Sequence, residues 1–239
     1  MLEWYLICTF RTKLAHMTKR NLTIVFILFF AITYAQNIQL PTEYISNSTL
    51  GGVNNNLPAN VQGSPYVNEE FVIGKVFINE DKPYTGLLRY NAYNDGIEMK
   101  TENGVITLLK REYLKAQIDG KLYLIENYKT ENGTIRKTYF VELNEGKARL
   151  LLNQRKKFVE AKPARSTYSK DQPPKFEDET SYYLITEGKA AVKTKLKSND
   201  VLAAFADHQK ELQDFVKQNK LKLKNEAEVI QLLAYYNSL

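Results

Sequence analysis

Two groups of carboxylates are the side chains with the most direct potential for chemistry. Asp95 and Glu98 flank a predicted turn, and the acidic run 177–179 precedes a predicted strand. Paired carboxylates perform acid–base chemistry in glycosidases and bind divalent cations, provided that both face one cleft. Acidic residues at hairpin ends are usually solvated, and linear spacing alone does not show two of these groups at a set separation in one cleft. The sequence therefore predicts no catalytic residue and no metal ligand, with a carboxylate-dependent glycan hydrolase as an alternative.

Histidine and cysteine are scarce in this chain. It has two histidines and one cysteine, Cys8, and His208 is the histidine outside the N-terminal segment. The sequence contains no H-E-x-x-H motif, no G-x-S-x-G motif and no glycine-rich phosphate-binding motif. Zinc and triad hydrolases are therefore excluded as classes, and no cofactor is expected. His208 lies between Phe205 and Leu212 on an apolar helical stripe, which favours a packing or helix-capping role.

Basic residues are concentrated in the segment 147–175, here called the basic strip. It holds nine Lys and Arg residues against two acidic residues. Such a strip attracts lipid headgroups, acidic glycans or an acidic protein, and its alternative interpretation is a loop solvated by its charges. Nucleic acid is not expected, because no recognition motif is present. The candidate binding residues are Arg149, Arg155, Lys156, Lys157, Lys162 and Arg165.

The N-terminal segment has the three parts of an export signal. The positive stretch Met17–Arg20 precedes the apolar run Leu22–Thr33, and small residues at Thr33 and Ala35 provide a signal-peptidase site before Gln36. The run has 12 residues, whereas a membrane-spanning helix needs about 20. We therefore expect translation to start at Met17 and cleavage to remove residues 1–35. The mature chain would have no transmembrane domain and would lie in the periplasm, the cell envelope or the medium.

Three segments with different residue patterns follow the signal. Residues 36–64 are rich in Asn, Gly, Ser and Pro without a period, which predicts an irregular N-terminal arm. Residues 65–197 alternate short apolar segments with Asp-Gly and Asn-Gly turns, as sequential antiparallel hairpins do. Residues 198–239 change to helical spacing, with a predicted capping box at Asn225 and Glu228. We expect this last segment to pack on the sheet.

This order of elements predicts an α+β fold, in which a large antiparallel β-meander precedes two or three short C-terminal helices. A composition of 44% hydrophobic and 25% charged residues excludes both global disorder and a polytopic membrane protein. The pattern leaves open whether the sheet is curved or barrel-like. The principal predicted strands are Val72–Ile78, Gly86–Tyr93, Ile97–Thr101, Val105–Leu109, Leu114–Ile118, Leu122–Tyr128, Ile135–Leu143 and Ala148–Leu152.

Several stretches of the chain resemble exported β-rich proteins of flavobacteria and their relatives in the Bacteroidota. They are the signal ending at Ala35-Gln36, RYNAYNDGIEMK at Arg89–Lys100, KFVEAKPA at Lys157–Ala164 and the tail Asn219–Leu239. The resemblance implies a Gram-negative envelope location. That group has no assigned activity, so the resemblance implies no catalytic residue.

These observations favour a non-catalytic, exported envelope protein. It would act as a binding or scaffold module that presents the basic strip to an anionic surface or a protein partner. One alternative is a periplasmic carrier that holds an apolar ligand inside a curved sheet closed by the C-terminal helices, and this requires an unfilled apolar cavity. The glycan hydrolase is the second alternative, and it requires a carboxylate in a cleft.

Overall fold

The computed structural model describes residues 40–46, 58, 60–79, 81–164 and 170–239. Within these residues the helices are α1 (Ser198–Leu202), α2 (Gln209–Gln218) and α3 (Glu226–Ser238), with 3-10 turns at Thr42–Tyr44 and Ala206–His208. The strands are β1 (Ile45–Ser46), β2 (Val72–Ile78), β3 (Tyr84–Asn91), β4 (Gly96–Thr101), β5 (Gly104–Leu108), β6 (Leu114–Ile118), β7 (Lys121–Lys129), β8 (Ile135–Glu142), β9 (Ala148–Asn153), β10 (Lys156–Val159), β11 (Lys175–Asp178), β12 (Ser181–Thr186) and β13 (Ala191–Thr194). None of the helices in the described part of the chain has the length and apolarity needed to span a bilayer.

Tight turns set the register of the meander. Asp95 has a φ of 56° immediately before β4, and Asp119 has a φ of 49° in the Asp119-Gly120 turn between β6 and β7. Asp adopts this left-handed conformation more readily than most residues, and so do the Gly residues that follow. The predicted Asp-Gly turns therefore lie at strand ends, where each reverses the chain.

Eleven of the strands described form one curved sheet that closes on itself, while β10 and β11 form a separate two-stranded ribbon. Neighbouring strands follow the order β1-β5-β4-β3-β2-β6-β7-β13-β12-β9-β8, and β8 pairs back onto β7. Five strands, β7, β13, β12, β9 and β8, thus make a closed ring, here called the strand ring. Its pairings are antiparallel except between β13 and β7, which run parallel with Ala191 opposite Tyr128. The predicted α+β fold, a large antiparallel meander followed by C-terminal helices, is confirmed, and the sheet, whose closure the sequence left open, is barrel-like.

Three apolar cores stabilise this architecture. Strands β7, β8 and β9 are buried on both faces and so contribute to more than one core. One core lies on the meander, one under the C-terminal helices and one inside the strand ring. The meander core includes Val76, Leu88, Tyr90, Ile97, Leu114 and Tyr123. The helix core includes Leu150, Leu184, Phe205, Leu212 and Leu232. The ring core comprises Leu124, Phe140, Leu151, Tyr183, Ile185 and Ala191.

Helix α3 is fixed at both ends. At its start, the Asn225 side chain accepts a hydrogen bond of 2.9 Å from the Glu228 N–H, which is one of the two bonds of the predicted capping box. Such a cap stabilises a helix by about 0.5–2 kcal/mol. At its end, the Asn237 side chain accepts from the Ala148 N–H at 2.7 Å and so joins α3 to β9. Gly146 makes room for this contact, because an added Cβ would lie 2.3 Å from the Asn237 amide nitrogen.

Candidate functional site

The structure distributes the candidate residues of the basic strip over three places. Arg149 points into the strand ring, where it pairs with two carboxylates. Arg155 lies 3.4 Å from the Asp95 carboxylate, and Lys156 lies 2.7 Å from the Asp178 carboxylate. Lys157 is exposed on the two-stranded ribbon of β10 and β11, and Lys162 is exposed beyond the end of β10. Arg165 lies outside the described residues.

The ribbon of β10 and β11 has one apolar and one basic face. Phe158 and Phe176 are opposite each other with ring centroids 5.2 Å apart, and Phe176 also packs on Tyr93 at 5.3 Å. This face is directed toward the protein, since Phe176 is 8% exposed. Because side chains alternate along a strand, Lys157 and Lys175 lie on the outward face.

The lysines around Glu177 are here called the lysine face: Lys157 and Lys175 on the outward face of the ribbon, and Lys162 beyond the end of β10. An isolated bridge pairs Lys162 with Gln172, and the charge of Lys162 reaches Glu177. Glu177 is the carboxylate on this face, opposite Lys157 and 2.7 Å from the Lys175 ammonium group. The hydrogen bond from Lys175 is the largest of the effects that lower the pKa of Glu177, and the charges of Lys157 and Lys162 lower it further. Three cations against one anion leave the face with net positive charge.

The carboxylates of the first turn are neutralised by their neighbours. Asp95 is 7% exposed and accepts hydrogen bonds from the Tyr90 hydroxyl at 2.8 Å and the Thr138 hydroxyl at 2.9 Å. It is also paired with Lys110. Glu98 is 1% exposed and accepts from Arg89 Nε at 2.8 Å. These contacts assign both carboxylates a structural role in the meander.

The second group of acidic candidates, the run 177–179, also contains carboxylates that form ion pairs with lysines. Glu177 pairs with Lys175, and Asp178 pairs with Lys156. The described residues contain no group of three or more His, Cys, Asp or Glu side chains arranged to bind a metal ion. His208 lies on the surface, where Nδ1 is 2.5 Å from the Glu211 carboxylate and the ring packs edge-on against Tyr236.

A cleft of about 710 Å³ lies at one end of the strand ring. The end of β12 and its turn into β13 form one wall, and β7, the first residue of β8 and the start of β9 form the rest. Charged side chains dominate its lining, and Ile135 at its rim is 53% exposed. The charged lining residues are Glu126, Lys147, Arg149, Glu187 and Lys189.

Arg149 holds two carboxylates together inside this end of the ring. Its Nη1 donates to Glu142 at 2.7 Å, and its Nη2 donates to Glu126. The three side chains are between 11% and 25% exposed. Burial alone would lower the pKa of Arg149, but the hydrogen bonds to Glu142 and Glu126 outweigh it and raise the pKa. The guanidinium group therefore stays charged.

Strand alternation explains why these three charges meet. Arg149 is two residues before Leu151, Glu142 is two residues after Phe140, and Glu126 is two residues after Leu124. Leu124, Phe140 and Leu151 belong to the ring core, so residues two positions away share the inward direction. Arg149 was among the binding residues predicted from the sequence, whereas Glu126 and Glu142 were not. The signal for both glutamates is their position two residues from an inward-facing apolar residue. This signal can be used only once the pairing of the strand ring is known.

The fold, the lysine face and the cleft together describe an α+β protein with a closed strand ring, an attached basic ribbon and a polar cleft. No family model, curated protein or solved structure matches the chain.

Proposed function

We propose that this protein is an exported, non-catalytic binding module of a Gram-negative cell envelope, and that its lysine face binds an anionic surface. The observation that carries this proposal is the convergence of Lys157, Lys162 and Lys175 around the carboxylate of Glu177. Positive side chains held on one exposed face attract a surface of phosphate or carboxylate groups.

The ribbon is suited to presenting these charges. Its Phe158 and Phe176 side chains anchor the inner face, so the outer face keeps its orientation without further contacts. Lys157 and Lys175 are diagonal neighbours on paired strands, a relation with a typical separation of about 7–8 Å. A repeating anionic surface offers several charges to such an array, whereas a single small anion would occupy one lysine.

The two alternative functions have less support. A carrier needs an apolar cavity, but the interior of the strand ring is filled by Phe140, Leu151 and Tyr183, with the Phe140 and Tyr183 rings 5.0 Å apart. A glycosidase needs one carboxylic acid that holds a proton. Glu126 lines the cleft, but its carboxylate is already engaged by the guanidinium group of Arg149.

The envelope location rests on the N-terminal pattern and on the resemblance to exported Bacteroidota proteins. Residues 1–35 lie outside the described residues. Intact mass and N-terminal sequencing of the protein from its own cells would show a first residue of Gln36 if the signal is removed as proposed. A retained Met1 or Met17 in the released protein would contradict the cleavage.

Vesicle cosedimentation tests the binding function. We expect the chain to bind vesicles that contain phosphatidylglycerol, not vesicles of phosphatidylcholine alone, and to dissociate at about 0.5 M NaCl. The double substitution Lys157→Gln and Lys162→Gln should weaken binding about 30-fold, because each lysine near an anionic surface contributes about 1 kcal/mol.

The matched control is Lys210→Gln with Lys217→Gln, which removes the same charge from the exposed side of α2. This control should bind like the unmodified chain, and both variants should keep the melting temperature. Equal weakening in the two variants would show that net charge, not the lysine face, governs binding. Absence of vesicle binding by the unmodified chain would refute the anionic surface and favour an acidic protein partner.

A further inference from the structure

Charged side chains line the base of the cleft at the end of the strand ring, next to the ring core. Phe140 and Leu151 inside the ring are 0% exposed, so no channel continues beneath the cleft through the ring core. Arg149 and Ile185 lie at the boundary between this core and the cleft, since both line the cleft. A ligand in the cleft would therefore contact the layer of paired charges first.

The charges of this layer balance. Lys147, Arg149 and Lys189 line the cleft with three positive charges against the two negative charges of Glu126 and Glu187, and Glu142, which pairs with Arg149 from outside the lining, supplies the third negative charge. Positive and negative groups are interleaved, as the Arg149 contacts to Glu126 and Glu142 show. Any ionic ligand would therefore meet repelling and attracting groups together, and it would lose hydration without a net electrostatic gain.

Hydrogen-bonding capacity remains in the cleft after the internal pairs are formed. Arg149 has five N–H donors, of which one donates to Glu142 and one to Glu126. The ammonium groups of Lys147 and Lys189 add donors at the rim, and the carboxylates of Glu126 and Glu187 add acceptors. The cleft thus offers strong donors and strong acceptors side by side.

We propose that this cleft binds a neutral oligosaccharide. Each sugar hydroxyl both donates and accepts a hydrogen bond, which matches interleaved ammonium, guanidinium and carboxylate groups. The volume of about 710 Å³ lies in the usual range for small-molecule sites. Ile135 provides an exposed apolar surface at the rim for the C–H face of a sugar ring. The site binds without hydrolysis, and it is separate from the lysine face.

Isothermal titration with cellotriose, maltotriose and N,N′-diacetylchitobiose tests this proposal, with glycylglycine as the zwitterionic comparison. We expect at least one of the three sugars to bind with a Kd below about 5 mM. Its affinity should change less than about twofold between low salt and 0.5 M NaCl, because no net charge is involved. Glycylglycine should bind more weakly than that sugar.

Two variants locate the binding. Arg149→Lys keeps the charge but loses the planar fork, and it should weaken sugar binding about tenfold. Lys147→Ala with Lys189→Ala changes exposed rim residues, so it keeps the fold and should weaken binding about threefold or more. The double variant Lys157→Gln and Lys162→Gln should leave sugar binding unchanged. No binding by the three sugars, preferred binding of glycylglycine, or full affinity in the folded rim variant would overturn the proposal.

Discussion

Replacing Asp95 with Asn removes one charge from the centre of a buried polar network with little change of shape. Asp95 accepts hydrogen bonds from the Tyr90 hydroxyl, the Thr138 hydroxyl and the Tyr139 N–H. Its carboxylate also balances the charges of Lys110 and Arg155. Asn tolerates the φ of 56° at this position, so the turn before β4 is preserved. The substitution therefore reports on electrostatics and hydrogen bonding.

The expected loss of stability is about 3 kcal/mol. Removing one partner of a fully buried ion pair costs about 3–5 kcal/mol, and a hydrogen bond to a charged group contributes about 1.5–3 kcal/mol. The side chains of Lys110 and Arg155 are 37% and 31% exposed, so water compensates part of the lost pairing. The lower end of the first range is therefore appropriate.

Urea unfolding measures this loss as a lower midpoint at an unchanged slope. A loss of about 3 kcal/mol corresponds to a melting temperature lower by about 6–12 °C for a chain of this size. The control is Asp119→Asn, the same chemical change at an exposed turn residue whose φ of 49° is also positive. It should cost less than about 0.5 kcal/mol. A loss below about 1 kcal/mol at Asp95, or equal losses in the two variants, would refute the reasoning.

Three further predictions concern pH and packing. Backbone N–H groups, that of Lys224 first, lower the pKa of Glu228, so its contribution is present above the usual carboxyl value and disappears as the pH falls. Glu228→Gln should therefore destabilise the protein at neutral pH, and urea titrations should show this destabilisation shrinking as the pH falls below the usual carboxyl value. Burial raises the pKa of Tyr90 and Tyr139, so stability should fall as the pH rises above about 10, and tyrosinate absorbance should show that these residues ionise only with unfolding. Phe140→Ala should cost about 3–5 kcal/mol in urea unfolding, because its ring is fully buried in the ring core.

The meander was accessible to sequence analysis because its determinants are local. Asp119-Gly120 fixes a hairpin between β6, which alternates apolar and polar residues, and the apolar start of β7, and the two strands pair directly across that turn. The helical spacing after Val201 and the Asn225 cap are equally local signals. Each of these features needs only the residues within one turn or one hairpin.

The closure of the strand ring could not be predicted in the same way. It depends on the parallel pairing of β13 with β7, in which Ala191 lies opposite Tyr128. These residues are more than sixty positions apart, and the pairing has just two register partners. No turn dipeptide or local period indicates such a contact. The cleft and its charged layer follow from this closure, so they too were inaccessible.

The basic strip shows how a linear charge count differs from a surface charge. Antiparallel pairing and chain reversal bring acidic partners from distant positions, so Asp95 balances Arg155 and Glu126 balances part of the charge of Arg149. Arg149 lies within the run 148–152, whose other residues are apolar, and such a strand is buried on both faces. A cation in that setting has little access to solvent and requires carboxylate partners. Lys157 has Lys156 and Phe158 as its neighbours in the chain, and alternation places both of them on the opposite face of the strand. Of these three residues, Lys157 is the exposed one.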